Sequence, residues 1–154
     1  MKTADCLGYV WTAAQWTGLA AVFWTGWHYG NPEGPAWLSV AGGALMIMSA
    51  LPALLGFRDL GKNLSPWPHP HAKNRLVTHG IYRYIRHPLY LSLIILSLGW
   101  AVWSQSWTAF VAAVALTAIL RGKAACEERL LGLRHPDYAS YARNTGCFLP
   151  RWRH

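Results

Sequence analysis

The stretch Leu89-Tyr90-Leu91-Ser92-Leu93-Ile94-Ile95-Leu96-Ser97-Leu98-Gly99-Trp100-Ala101-Val102-Trp103, followed by Ser104-Gln105-Ser106 and then by Trp107 through Leu120, decides the fold. Two apolar runs separated by three polar residues predict a tight helical hairpin. Its second arm runs on past Arg121 into water and stays helical to about Leu131. Two further apolar stretches precede it, roughly Leu7–Tyr29 and Ala36–Phe57. Each reaches the ~20 residues a helix needs to cross the ~30 Å hydrocarbon core of a bilayer.

Composition agrees. The chain has 154 residues, 53% of them hydrophobic and 13% charged, with ten Trp. That is one domain's worth of sequence, too apolar and too blockwise for an ordinary soluble domain. The first apolar run is too long for a cleavable signal peptide, and no small-residue cleavage site follows it, so it is expected to remain as a span. The expected fold is all-α: an integral membrane helical bundle of about four transmembrane helices, residues 1–154 forming one membrane domain. Pro52 removes a backbone donor and predicts a kink in the second span. Gly26 and Gly30 have the small-xxx-small spacing of a helix contact, though they also fit a loop entry.

The charges set an orientation. Of the fourteen Lys and Arg, Lys2 precedes the first span; Arg58, Lys62, Lys73, Arg75, Arg83 and Arg86 lie between the second and third. Arg121, Lys123, Arg129, Arg134, Arg143, Arg151 and Arg153 follow the fourth apolar run. The other two loops carry none. Positive-inside bias then predicts a multi-pass protein of the cell inner membrane with both termini cytoplasmic. The net charge of +8 reads as this orientation signal, so the expected partner is the lipid bilayer and not nucleic acid. Trp24, Trp27, Trp37, Trp100, Trp103 and Trp107 are expected in an aromatic belt at the outer ends. Cys6, Cys126 and Cys147 have neither the number nor the spacing of a disulfide framework or zinc site, and no metal is expected.

Chemistry is concentrated in Gly80-Ile81-Tyr82-Arg83-Tyr84-Ile85-Arg86-His87-Pro88-Leu89-Tyr90 and in Glu127-Glu128. Arg86-His87 alone reads as a membrane anchor. With Tyr82, Arg83 and Tyr90 it offers several donors and aromatic faces within nine residues, a variety that anchoring does not require. Polar groups at a membrane edge are costly unless they bind something. Pro88 suits the first turn of the third helix, which puts Arg86 and His87 at its mouth. The glutamates are two of only six acidic residues, in a basic half of the chain. Lys123, five residues before Glu128, is only loosely on its face and needs another element to converge with it. Pro66, Pro68 and Pro70, alternating with Trp67, His69 and His71, predict an extended run along the surface. His69, His71 and His79 lack the carboxylate or Cys companions of a ligand set. There is no Walker A, no G-x-G-x-x-G and no G-x-S-x-G elbow. Phe148-Leu149-Pro150 is an apolar patch that can fold back over a site.

These residues resemble a family. Leu64-Ser65-Pro66, Leu76 through Tyr90, Glu127-Glu128, and Tyr138, Tyr141 and Leu149-Pro150 look like the isoprenylcysteine carboxyl methyltransferase and phospholipid methyltransferase superfamily of small membrane enzymes. The resemblance covers roughly residues 60–152, and the G-x-Y-x-x-x-R-H-P-x-Y block carries most of it. It implies S-adenosylmethionine as cofactor, with residues 58–154 as the catalytic core and 1–57 as two N-terminal spans. It implies a cytoplasmic cofactor pocket lined by Gly80, Tyr82, His87, Pro88, Tyr90 and Glu127, with Leu76 and Val77 against the cofactor's apolar parts. It places Lys123 and Glu128 close to the transferred methyl, and with them Arg86 completes the expected catalytic set. The eukaryotic prenylcysteine enzymes carry Arg where this chain has Lys123. Lys lacks the bidentate fork, so the resemblance leaves carboxylate recognition open. The expected function is an S-adenosylmethionine-dependent methyltransferase acting on a lipid or small apolar acceptor, the accepting carboxylate, amine or thiol being left open. A sterol-reductase-like membrane reductase using a nicotinamide cofactor, or a non-enzymatic membrane binding protein, is the alternative.

Overall fold

The computed structural model describes residues 2–31, 33–61 and 76–151, with the side chains of residues 2–7 left aside. Among the described residues five helices follow one another: α1 (Lys2–His28), α2 (Ala36–Leu60), α3 (Pro88–Trp103), α4 (Trp107–Arg134) and the short α5 (Tyr138–Asn144), with a 3-10 turn at Gly80–Arg83 before α3. The four long helices lie close to the expected apolar stretches. The proline-rich run and the histidines His69 and His71 fall outside the described residues.

The hairpin turn between α3 and α4 is built by its polar residues. The Ser104 N–H returns to the Trp100 carbonyl at 2.8 Å, Gln105 takes a positive φ of 52°, and the Ser106 hydroxyl caps α4 by accepting the Ala109 N–H at 3.2 Å. A serine N-cap satisfies one of the donors a helix start leaves open. The loop between α1 and α2 meets this turn: the Asn31 N–H donates to the Ser104 carbonyl at 2.9 Å, and the Gln105 amide donates to the Pro35 carbonyl at 3.1 Å. Both short connections therefore share one end of the bundle, and the polar block preceding α3 lies at the other.

α1 packs along α4 and α2 along α3, and the hairpin joins the two pairs. Along α1, Trp11, Gln15, Gly18 and Val22 recur at helical spacing and face α4. A Cβ on Gly18 would lie 3.1 Å from Leu116, and one on Gly122 would strike the Trp11 ring. Val22, Ala113, Leu116 and Leu120 form the buried centre. Gly42 and Gly99 let α2 and α3 approach almost backbone to backbone, as small residues do where helices meet in lipid. Gly26 and Gly30 make the contact their spacing implies, against Trp100 and Ser104, and they also close the end of α1. α2 continues through Pro52 without a break. Trp100 turns inward from the expected belt to stack on Trp103 at 5.1 Å and against Phe23 at 5.0 Å, because Gly26 leaves room for it.

The outer surface explains the composition. In the most apolar stretches of α2 and α4, only 17% and 33% of residues are buried. Val40, Ile47, Leu51 and Leu54 form one exposed stripe on α2, and Phe110, Val111 and Val114 another on α4. A core helix of a soluble protein would bury such faces; these are faces for lipid, and the chain is a membrane protein. α2 and α4 are long and apolar enough to cross a bilayer, while α3 is apolar but shorter, at 16 residues.

The α2–α3 crossing generates a stability prediction. A Cβ on Gly99 would lie 3.0 Å from the Gly42 carbonyl oxygen and 2.9 Å from Met46 Cγ, whereas the nearest atom to one on Gly43 is 4.0 Å away. Gly99→Leu is expected to cost ~1–3 kcal/mol through overpacking. Gly43→Leu, with room and a better helix former, is expected to match or exceed wild-type stability. Thermal unfolding in detergent distinguishes the two.

Candidate active site at the mouth of the hairpin

The approach to α3 is shaped by one glycine and one aspartate. Gly80 has φ +59°, and a Cβ there would run into the Asp59 carboxylate at the end of α2. That carboxylate accepts the Ile81 N–H at 2.7 Å and starts the 3-10 turn. The chain then meets its own C-terminal segment. Ile85 and Gly146 form a parallel bridge, the Gly146 N–H donates to the Tyr84 carbonyl (3.1 Å), the Arg86 N–H to Gly146 (2.8 Å) and the His87 N–H to Cys147 (3.1 Å). Phe148 consequently folds back over the site, edge-on to the His87 ring at 6.3 Å and beneath the Arg121 guanidinium.

Pro88 opens α3 as its missing N–H allows, and the side chains around it converge on Glu127 and Glu128 of α4. Arg86 donates from Nε to Glu128 Oε1 at 2.9 Å and from Nη2 to Oε2 at 3.3 Å. Its Nη1 donates to the Ala142 carbonyl at 2.9 Å and to that of Thr145. His87 Nε2 lies 3.1 Å from Glu128 Oε1. The Tyr90 hydroxyl donates to Glu127 Oε1 at 2.6 Å, and its ring stacks on His87, 5.4 Å between centres and 4° from parallel. The second Glu127 oxygen, 3.8 Å from His87 Nδ1, forms no hydrogen bond among the described residues. Tyr82 is buried, and its carbonyl accepts the Tyr141 hydroxyl at 2.7 Å. Burial pushes the Tyr141 hydroxyl up to about 12 against the opposing pull of Arg86 and Thr145, which keeps it a donor. Burial, and then Tyr141, Asp59 and Glu127, raise the Tyr82 hydroxyl above its ordinary value.

Lys123 does not join Glu128. Its ammonium faces α1, donating to Gln15 Oε1 at 2.8 Å and Thr12 Oγ1 at 3.4 Å, and lies 5.4 Å from the centre of the Tyr90 ring. Five residues at ~100° each turn it well away from Glu128 around α4, toward the ring of Tyr90, whose hydroxyl is bonded to Glu127.

Of the expected site residues, Arg86, His87, Pro88, Tyr90, Glu127 and Glu128 come together, with Tyr82 against them and Lys123 one ring away. Gly80 is exposed and acts through its backbone and Asp59. Leu76 and Val77 are half-buried, and no hydrogen bond or ring contact ties them to the cluster among the described residues. Sequence reading did not bring in Gln15, Thr12, Ala142, Thr145 or Cys147. His87, Glu128 and Cys147 even place possible ligand atoms within 4.8 Å of one another, although the cysteine spacing gave no sign of it.

The structure thus sets a polar cluster at the mouth of an apolar helical hairpin. The profile of the phospholipid methyltransferase family matches residues 37–132, well over half of the chain, and the chain belongs to that family, within the isoprenylcysteine carboxyl methyltransferase-like superfamily. It is 42% identical over 83 residues to the cobalt-zinc-cadmium resistance protein CzcN of Cupriavidus metallidurans, a match covering 51% of this chain and 37% of that protein. It is 35% identical over 77 residues to the nickel-cobalt-cadmium resistance protein NccN of Alcaligenes xylosoxydans xylosoxydans, covering 49% and 36% respectively. The matched stretches thus span little more than a third of those relatives.

Cys147 yields a pH prediction. Burial, and then the Glu128 carboxylate, raise its thiol pKa, outweighing Arg121 and Arg86. A raised pKa leaves less thiolate at neutral pH. Peptide-resolved alkylation by iodoacetamide is therefore expected to be slow at pH 7 and to keep rising beyond the ~8.5 of a free thiol. A plateau at or below pH 8 would contradict this environment.

Proposed function

We propose that the protein is an S-adenosylmethionine-dependent methyltransferase of the inner membrane, acting on a lipid or small apolar acceptor, with four spans and both termini in the cytoplasm. The observation that carries this is the meeting of Arg86, His87, Tyr90, Glu127 and Glu128 at the start of an apolar hairpin whose outer faces suit lipid. Family membership adds the reaction class. The fourteen basic residues support the orientation, since they cluster away from the two short connections.

The donor set fits the cofactor. Glu127 keeps one oxygen free of hydrogen bonds among the described residues, as a ribose hydroxyl or an ammonium requires. The stacked His87 and Tyr90 rings offer a flat apolar face with a polar edge. When bound, S-adenosylmethionine supplies an electrophilic methyl. The protein's part is then to hold an acceptor in line, ~3–3.5 Å away and shielded from water. Phe148, folded over His87, supplies part of that shield. Glu128 is already occupied by Arg86 and His87, so it holds those two groups in place and is not free to take a proton from the acceptor. Arg86, with all three nitrogens engaged, ties the C-terminal segment onto α4. α3 has 16 residues, ~24 Å at ~1.5 Å per residue, short of the ~30 Å core. The mismatch draws its polar mouth toward the depth at which an apolar acceptor lies.

The relatives' names describe metal resistance, and His87, Glu128 and Cys147 are suitable ligand types. A dication among them would sit beside Arg86, which already holds Glu128.

Two measurements test this reading. His87→Ala is expected to weaken S-adenosylmethionine binding at least about tenfold, ~1.4 kcal/mol, by calorimetry on detergent-purified protein. Unchanged affinity in a folded variant would return His87 to an anchoring role. Glu128→Gln keeps the size and removes the charge. By loosening the hold on Arg86 and His87, it is expected to lower both S-adenosylmethionine affinity and methyl transfer into a membrane lipid extract by about tenfold or more. Wild-type turnover in that variant would make Glu128 a bystander.

A further inference from the structure

His87, Glu128 and Cys147 come from three separate places in the fold: the residue before α3, the polar part of α4 and the segment after α5. Main-chain bonds fix their approach, since the His87 N–H donates to the Cys147 carbonyl itself and the Arg86 N–H to that of Gly146. An imidazole nitrogen, a carboxylate oxygen and a sulfur then lie within 4.8 Å of one another. Ligand atoms of a tetrahedral zinc site stand roughly 3.3–3.6 Å apart, given bonds of ~2.0–2.3 Å. His87 Nε2 and Glu128 Oε1, 3.1 Å apart, are already near this spacing, and the sulfur has at most about an ångström to close.

The neighbours are those that orient metal ligands. Arg86 steadies the second Glu128 oxygen, Nη2 to Oε2 at 3.3 Å. With His87 Nε2 turned to an ion, Nδ1 carries the proton and faces Glu127 Oε2 at 3.8 Å, on the carboxylate that Tyr90 holds. The Tyr138 hydroxyl stands beside the cluster, in the field of Glu128, Arg86 and Cys147. Tyr138 is 6% exposed, and its hydroxyl has no hydrogen-bond partner among the described residues. Three protein ligands leave a fourth position to water, and such a water is what an orphaned buried hydroxyl requires.

We propose that His87, Glu128 and Cys147 form a site for a thiophilic dication of the zinc and cadmium class, and that its occupation excludes the cofactor; the second half rests on the methyltransferase reading above. Thiolate and imidazole ligands select such ions over magnesium or calcium. The thiol proton of Cys147 leaves to solvent as the sulfur–metal bond forms. The ion replaces the contact between His87 and Glu128 Oε1, and that oxygen still accepts from Arg86 Nε. Thiolate and carboxylate together carry two negative charges, so Arg86 faces a neutral centre and keeps its bonds to Ala142 and Thr145. An ion there takes the polar edge of His87 away from the cofactor. The two ligands then oppose each other reciprocally.

The test uses the full chain without a histidine tag, purified in detergent with its cysteines reduced. Zn2+, Cd2+ and Mg2+ are titrated by calorimetry, and Cd2+ also by the ultraviolet absorption of a cadmium–thiolate bond. Zn2+ and Cd2+ are expected to bind, and Mg2+ is not. On the wild-type chain, excess Zn2+ is expected to slow peptide-resolved alkylation of Cys147 at least about tenfold and to leave Cys126 unchanged. Cys147→Ser is expected to abolish the cadmium–thiolate absorption while S-adenosylmethionine affinity stays within about twofold, and Cys126→Ser to keep both. Zn2+ is expected to weaken S-adenosylmethionine binding at least about tenfold in the wild type and not in Cys147→Ser. Unchanged alkylation of Cys147 in excess Zn2+, or a thiolate signal that survives Cys147→Ser, would overturn the site. Protection of Cys147 with S-adenosylmethionine affinity unchanged would overturn the exclusion. Protection of Cys147 in a chain that binds no S-adenosylmethionine would support the metal site and overturn the methyltransferase reading.

Discussion

The ion pair between Arg86 and Glu128 is the contact on which the site depends. It joins the residue just before α3 to the polar extension of α4, and the same guanidinium holds the carbonyls of Ala142 and Thr145. Side-chain exposure of 12% and 21% means both charges are partly withdrawn from water. An uncompensated charge at such a place is costly, so each partner depends on the other. With the pair in place, Gly146 and Cys147 can bridge to Ile85, Arg86 and His87, and Phe148 is delivered over His87. Without it, α5 and the C-terminal segment lose their main tie to the hairpin.

Around this tie the protein solves a problem set by its membrane setting. The outer faces of α2 and α4 are apolar and unburied, so polar chemistry must be confined to one end and satisfied internally. The cluster does this almost completely: Glu128 has Arg86 and His87, and Glu127 has Tyr90. Among the described residues, one Glu127 oxygen is left without a hydrogen bond.

Much of the fold was legible because each signal was local. The Ser104-Gln105-Ser106 interruption marked the hairpin turn, Pro88 marked the start of α3, and unbroken apolar runs marked the helices. The block from Gly80 to Tyr90 and the Glu127-Glu128 pair stood out as a candidate site because such groups are rare beside apolar spans, and the fold brings the two together. The partners were not. Lys123 and Glu128 lie five residues apart, and which neighbour each meets depends on how α1 and α3 dock against α4. Gln15 and Thr12 read as interior residues of a span, since nothing in their own neighbourhood points to a lysine more than a hundred residues away. The apolar Phe148-Leu149-Pro150 patch signalled the fold-back, but not its partner: Cys147 and Phe148 reach His87 through backbone bonds of Gly146 and Cys147, and backbone pairing of an irregular segment leaves no mark on side-chain pattern.

The central claim, that this cluster holds S-adenosylmethionine, is tested most directly by native mass spectrometry of the detergent-purified full chain incubated with candidate cofactors. The account predicts a one-to-one adduct with S-adenosylmethionine that S-adenosylhomocysteine displaces and reduced nicotinamide dinucleotides do not. An adduct with a nicotinamide dinucleotide instead, or no adduct with any adenosyl ligand from a folded protein, would contradict it.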